Sequence, residues 1–143
     1  MTVAAILAEK GREVVTVAPA TTVADASALL AERRIGAAVV TDRSGRILGI
    51  VSERDIVAAL AKYGADALTR DVGSIMTSKV ITCAENDTIN EVMARMTRGR
   101  FRHLPVVTNG RMVGVISIGD VVKRRIEDVE REAEEMRLYI ATA

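Results

Sequence analysis

At 143 residues, 49% hydrophobic and 27% charged, the chain can build one compact body of two lobes but not two independent domains. A formal net charge of +1 argues against a protein whose main work is coating phosphate backbones, and one cysteine with one histidine exclude a structural zinc site within a single chain. No apolar run approaches the ~18 residues of a membrane-spanning helix; MTVAAILAEKG lacks the basic start and longer apolar stretch of a signal peptide, so the expected compartment is the cytoplasm.

In chain order, VAAIL reads as a short helical lead-in and VVTV as a β-branched strand. Thr22-x-x-Asp25 then marks a helix start, where the hydroxyl can accept from an orphan N–H and the carboxylate can reach back. Val23, Ala26, Leu29 and Leu30 follow at three- and four-residue spacing, which predicts an amphipathic helix with that stripe in the core. AAVVT and ILGIVS are strands joined through TDRSGR, with Gly45 supplying the positive φ of the turn. Ser52 opens the next helix.

From Ala61 to Ser78 the segment reads as a linker with two glycines and a short helical VGSIM, an echo of VAAIL. The pattern then begins again. VITC is a predicted strand, and Cys83 within it is a small buried filler rather than a redox group. Thr88-x-x-Glu91 starts a helix with Ile89, Val92, Met93 and Met96 on its apolar stripe; LPVVT and MVGVIS form a hairpin about Gly110, and Ser117 opens the last helix. That helix outruns its counterpart. Val122, Ile126, Val129, Ala133, Met136 and Ile140 step by four and three residues, an a/d seam that asks for a partner chain.

The two halves keep one register. Thr16 and Thr82, Thr22 and Thr88, Asp25 and Glu91, Arg34 and Arg100 all differ by 66, whereas Gly49 and Gly114, Ser52 and Ser117, Asp55 and Asp120 differ by 65, so one residue is lost in the hairpin turn. A duplication in which the indel falls in a turn decides the architecture: an α/β (α+β) chain of two β-α-β-β-α repeats with an extended C-terminal helix. The expected boundaries are 1–60 for the first repeat, 61–78 for the linker, 79–125 for the second repeat and 126–143 for the helical extension.

The doubled G-h-h-[ST]-x-x-D, present as GIVSERD at Gly49 to Asp55 and GVISIGD at Gly114 to Asp120, each preceded by T-h-x-[PE]-x-x-T and an [IF]-x-x-h-x-V strand, resembles a tandem pair of cystathionine-β-synthase (CBS) domains over about 125 residues. The resemblance implies two repeats packed about a pseudo-two-fold axis, two clefts that commonly hold adenine nucleotides, and further pairing of such modules.

Elementary chemistry gives the motif a rationale of its own. A serine at a helix N-cap stands where the helix dipole and free amides stabilise a phosphate, and an aspartate three residues on could accept from the two hydroxyls of a ribose. The same S-x-x-D is also a capping box, in which the aspartate satisfies only the serine amide. By resemblance, Val14, Val15, Thr16, Ile35, Gly36 and Ala37 floor one adenine pocket and Val80, Ile81, Thr82, Arg102 and His103 the other, with Ser52, Asp55, Ser117 and Asp120 for ribose and phosphate. How the two repeats combine in each cleft stays open. Arg54 beside Asp55 is a further phosphate candidate whose counterpart is Gly119, so the clefts are expected to be unequal.

The absence of a G-x-S-x-G elbow removes the Ser/His/Asp hydrolase reading. The clusters Arg95, Arg98, Arg100, Arg102 and Lys123, Arg124, Arg125 read as solvated faces, and with 2% aromatic residues the chain offers little for single-stranded bases to stack on. The expected protein is therefore a non-catalytic sensor of AMP, ADP, ATP or an NAD-like dinucleotide, homodimeric, acting on an unidentified partner protein and not on membranes or nucleic acid. The alternatives are an interaction protein with no ligand and a nucleic-acid-contacting regulatory subunit.

Overall fold

The computed structural model describes residues 1–142; Ala143, the last residue of the expected extension, lies outside the described residues. The elements are α1 (Val3–Lys10), β1 (Thr16–Val17), α2 (Val23–Arg33), β2 (Ala37–Thr41), β3 (Ile47–Ser52), α3 (Glu53–Tyr63), a 3₁₀ helix (Gly64–Thr69), α4 (Val72–Ile75), α5 (Ile89–Gly99), β4 (His103–Thr108), β5 (Arg111–Ser117) and α6 (Ile118–Thr142). They form two compact units, residues 14–81 and residues 1–13 with 82 onward.

In the first unit β1 runs parallel to β2, and β2 pairs antiparallel with β3. Val17, Val23, Ala26, Leu30, Val40, Val51 and Val72 form its core. The predicted stripe of α2 is thus the buried one, with Leu29 half-buried beside it. The Thr22 hydroxyl accepts from the Asp25 amide at 3.1 Å, half of a capping box. Asp42 pins the hairpin turn by accepting from the amides of Ser44 and Arg46, and Gly45 there has φ +86°, as the turn chemistry requires. The stretch expected to be a linker is instead ordered through the end of α3, the 3₁₀ helix and α4, with Arg70 stacked 3.6 Å from the Tyr63 ring centre.

The second unit repeats the plan with one difference. The strand expected at VITC is reduced to a single parallel bridge between Cys83 and Val106. In the first repeat the Val39 amide donates to Val15 O; position 105, its equivalent, is proline and has no N–H to give, so that rung has no counterpart. Cys83 is 4% exposed, and burial pushes its thiol up to about 12, with Asp87 adding to the rise. The thiol is therefore a protonated core filler. Thr88 and Glu91 make a complete capping box, and Ile89, Val92 and Met96 are buried while Met93 is half-buried.

The lead-in helices depart from the expected boundaries. Residues 1–13, assigned by sequence to the first repeat, pack with the second; α4, placed in the linker, packs with the first. Each docks by the same backbone bonds. Val3 and Ala4 donate to Asp87 O and Glu85 O (3.0 and 2.9 Å) and Ile89 donates to Met1 O (3.1 Å); Val72 and Gly73 donate to Thr21 O and Pro19 O (2.8 and 2.9 Å) and Val23 donates to Arg70 O (2.9 Å). VAAIL and VGSIM are therefore equivalent pieces. A short amphipathic helix cannot stand alone, and each finds its cover on the repeat that lies elsewhere in the sequence.

Candidate functional site

The glycine of each G-h-h-[ST]-x-x-D motif makes room for a lead-in helix. A Cβ on Gly49 would stand 2.6 Å from Met76 Sδ and 2.7 Å from Thr77 O, and one on Gly114 would stand 2.6 Å from Leu7 Cδ2. The h-h pair then carries β3 and β5 through the core, with Val51 and Ile116 fully buried, and delivers Ser52 and Ser117 to the helix caps.

Both caps are complete hydrogen-bonded boxes. The Asp55 amide donates to Ser52 Oγ (3.3 Å), and the Ser52 amide and hydroxyl donate to Asp55 Oδ2 (2.9 and 3.1 Å). At the second cap the Asp120 amide donates to Ser117 Oγ (3.2 Å) and the Ser117 amide to Asp120 Oδ2 (2.8 Å). The first helical amides also find backbone partners: Glu53 donates to Gly36 O (3.0 Å) and Ile118 to Arg102 O (2.8 Å). Of the first three amides of α3 two are thus engaged, which leaves less of the helix terminus for a phosphate than the sequence suggested.

These bonds tie each cap to the residue just before the second strand of its own repeat. Ala37 lies opposite Ser52 and His103 opposite Ser117 in the antiparallel ladders, so the start of the second strand borders the cap in both copies. Val15 and Thr16 line up beside Val39; Val14, Val15, Ile35, Gly36 and Ala37 are half-buried, Thr16 and Arg54 exposed. In the second copy His103 is half-buried and Arg102 and Thr82 exposed, while Val80 and Ile81 are half-buried in a segment without regular secondary structure. Those two belong to the first compact unit and Thr82 to the second.

Two residues that the motif did not reveal complete the carboxylate surroundings. Thr77, just past α4, donates its hydroxyl to Asp55 Oδ1 at 3.1 Å. Lys10, at the end of α1, donates to Asp120 Oδ2 at 2.7 Å and to Val115 O at 2.8 Å. Only the lead-in echo pointed toward these positions, and an echo shows equivalence without showing contact. The two carboxylates thus differ: one meets a neutral hydroxyl, the other an ammonium. Beside Lys10 lies a groove of about 290 Å³ lined by Ile6, Glu9, Lys10, Asp120, Lys123, Arg124 and Glu127.

Burial alone would raise the Asp120 carboxyl, but the hydrogen bond from Lys10, the Ser117 amide and the Lys10 charge outweigh it and hold the group below the usual 3.8. A depressed folded value means that the contribution to stability is fully present above the unfolded value of about 3.9 and is lost as pH falls through the lower folded value. Lys10 is 40% exposed, so solvent screening limits the pair to about 0.5–1 kcal/mol. Lys10→Met is expected to lose that amount near neutral pH and to converge on the parent chain as the pH falls through the lowered folded value of Asp120. Urea titrations across pH measure this; a gap that persists unchanged in acid would assign the effect to packing of the lysine stem.

Among the described residues no group of histidine, cysteine, aspartate and glutamate could hold a metal ion, and no helix is long and apolar enough to cross a membrane. The CBS domain pattern matches residues 8–62 and 72–127. A CBS-domain-containing protein from Agrobacterium tumefaciens is 50% identical and superposes with a TM-score of 0.86, covering 87% of this chain and 99% of that one. The CBS domain pair of protein MJ0100, solved in complex with 5′-methylthioadenosine and S-adenosyl-L-methionine, is 25% identical with a TM-score of 0.80 over 90% of this chain and 98% of that one. The mitochondrial CBS domain-containing protein CBSX3 of Arabidopsis thaliana is 33% identical over 83% of this chain. The chain spans 60% of that relative's length and 22% of a second Arabidopsis CBS domain-containing protein. With two matched repeats, the duplicated motif at both caps and the superposition on solved pairs, the chain belongs to the CBS domain family, as a tandem pair of CBS repeats.

Proposed function

We propose that this pair is a non-catalytic regulatory module that binds an adenosine-containing ligand, whether AMP, ADP, ATP, an NAD-like dinucleotide or an adenosyl sulfonium compound, and passes the binding state to a partner protein. One observation carries it: in both repeats a cap serine and aspartate stand beside the start of a strand, in a chain whose fold superposes on a CBS domain pair solved in complex with 5′-methylthioadenosine and S-adenosyl-L-methionine. The capping boxes do not exhaust the carboxylates. Each has about four lone-pair sites, and the Asp120 contacts named above all fall on Oδ2.

In this scheme Asp55 and Asp120 accept from ribose hydroxyls, Gly36 and Ala37 let an adenine approach the first strand closely, and Arg54, Arg102 and His103 face phosphate or its equivalent. The clefts are unequal because Asp120 must share with or release the Lys10 ammonium, whereas beyond its own cap Asp55 meets the neutral Thr77 hydroxyl. The basic clusters are partly balanced, Arg95 by Asp87 at 2.6 Å and Arg124 by Glu9 and Asp128 at 3.6 and 3.4 Å, which favours a small ligand over nucleic acid. Every residue from Val129 to Thr142 is exposed, which favours association as a homodimer through α6.

A panel of adenine nucleotides, NAD, 5′-methylthioadenosine and S-adenosyl-L-methionine tests the ligand class. At about 100 times its dissociation constant, a true ligand stabilises the fold by about 2.7 kcal/mol, and each kcal/mol moves the midpoint of a chain this size by roughly 2–4 °C. Asp55→Asn keeps the shape of the cap while weakening a charged acceptor, so affinity should fall tenfold or more; Asp120→Asn should cost less, since Lys10 already competes there. No shift with any of these compounds at millimolar concentration would sink the proposal, and normal binding by both variants would reduce the motif to a cap.

A further inference from the structure

The last helix presents a face that its own unit leaves uncovered. Val121, Arg124 and Asp128 hold α6 against the body, at 0%, 17% and 8% side-chain or residue exposure. The a/d seam lies about a third of a turn away at ~100° per residue, and its large members are exposed from 40% at Val122 to 67% at Ile140. From Val129 to Thr142 every residue is exposed, although an isolated helix of this length is marginal in water.

The flanking charges choose the occupant. With Ile126, Ala133 and Ile140 at a and Val122, Val129 and Met136 at d, the e positions are Lys123, Glu130 and Arg137, and the g positions include Arg125 and Glu132. In a parallel pair each g residue faces the next e residue across the seam. Arg125 then meets Glu130 of the partner subunit, and Glu132 meets Arg137 of the partner subunit, so both pairs in which each member is charged are attractive, while Lys123 faces the uncharged Ile118. A full-length antiparallel pair would set Lys123 against Arg137 and would set Glu130 and Glu132 each against its own copy, all repulsive. Within one chain these groups are committed only to exposed pairs such as Arg137 with Glu134 at 3.2 Å, which exchange at little cost.

We infer that α6 joins a second copy of this chain in a parallel, in-register two-stranded coiled coil, with the charge pattern along e and g setting the orientation. The inference rests on the homodimer reading above and adds the direction and register of the helices. Ala133 near the middle of the seam allows the backbones to approach closely, and the exposed tail residues Met136 and Ile140 gain cover in this arrangement.

Three measurements on the full chain test it. Sedimentation of the unmodified chain should give a dimer, and Ile126→Glu with Val129→Glu a monomer. Under mild oxidation Met136→Cys alone should form a covalent dimer, because a parallel seam sets each position against itself; Cys83 is buried and serves as an internal control that does not cross-link. Glu130→Arg should weaken the dimer about tenfold, and adding Arg125→Glu should restore it by exchanging the two partners. A monomeric parent chain would refute the homodimer reading itself. A dimer that cross-links only when Ile126→Cys is mixed with Met136→Cys, that ignores the charge exchange, or that survives the double glutamate substitution would overturn the parallel coiled coil while leaving dimerisation standing.

Discussion

Leu7→Ala is expected to destabilise the fold by about 2–5 kcal/mol, among the largest losses available to a single substitution in this chain. Leu7 is 1% exposed, and its methyls rest on the bare backbone of Gly114. A truncation there removes the transfer energy of the side chain and leaves a cavity that the strand beneath cannot fill. It also loosens α1, which is held to its unit by a few terminal backbone bonds and by Val3, Ile6 and Leu7. Urea unfolding provides the measurement, and hydrogen exchange should show α1 opening ahead of the global transition. A loss under 1 kcal/mol would mean that α1 is not part of the cooperative unit. The pair Leu7→Ala with Gly114→Ala sharpens the test: the added methyl has nothing to strike once Leu7 is short, so the double variant should be more stable than the sum of the singles.

Gly49→Ala is expected to cost more than Gly114→Ala, about 1–3 kcal/mol for overpacking. The new methyl at 49 meets Thr77 O, a backbone atom, as well as Met76 Sδ, whereas at 114 the atoms within reach belong to the Leu7 side chain. A rotamer change relieves the second and not the first. The Ile50–Thr77 backbone pair, with its bonds of 2.8 and 2.9 Å, holds Thr77 in place, so relief at position 49 must move the hydroxyl that donates to Asp55. Gly49→Ala should therefore weaken ligand binding in the first cleft along with stability. Equal costs at 49 and 114 would show that the Thr77 segment yields as easily as a side chain.

The repeat made much of this fold readable. Thr22, Ser52, Thr88 and Ser117 each mark a helix start by a side chain that bonds three residues ahead, a signal short enough to survive in sequence. Gly45 and Gly110 mark the turns for a similarly local reason, both having positive φ. The lead-in helices were visible as an echo, but their docking was not: VAAIL and VGSIM each lie next to one repeat along the chain and pack on the other, and no local pattern encodes a partner that far away. The missing second-repeat strand was legible in principle, since Pro105 occupies the position where Val39 donates. Lys10 and Thr77 stayed hidden because the contact that gives each its meaning is made only in three dimensions.

The discontinuous unit also sets an order of assembly. Residues 14–81 form one body from contiguous sequence and can close as soon as they are complete. Helix α1, which precedes that body in the chain, cannot dock until β5 exists, for Leu7 has no seat before Gly114 is made. At ribosomal speeds of ~5–20 residues per second that delay is on the order of ten seconds. Through it Val3, Ile6 and Leu7 lack their seat, so nascent α1 is a long-lived apolar handle for a chaperone.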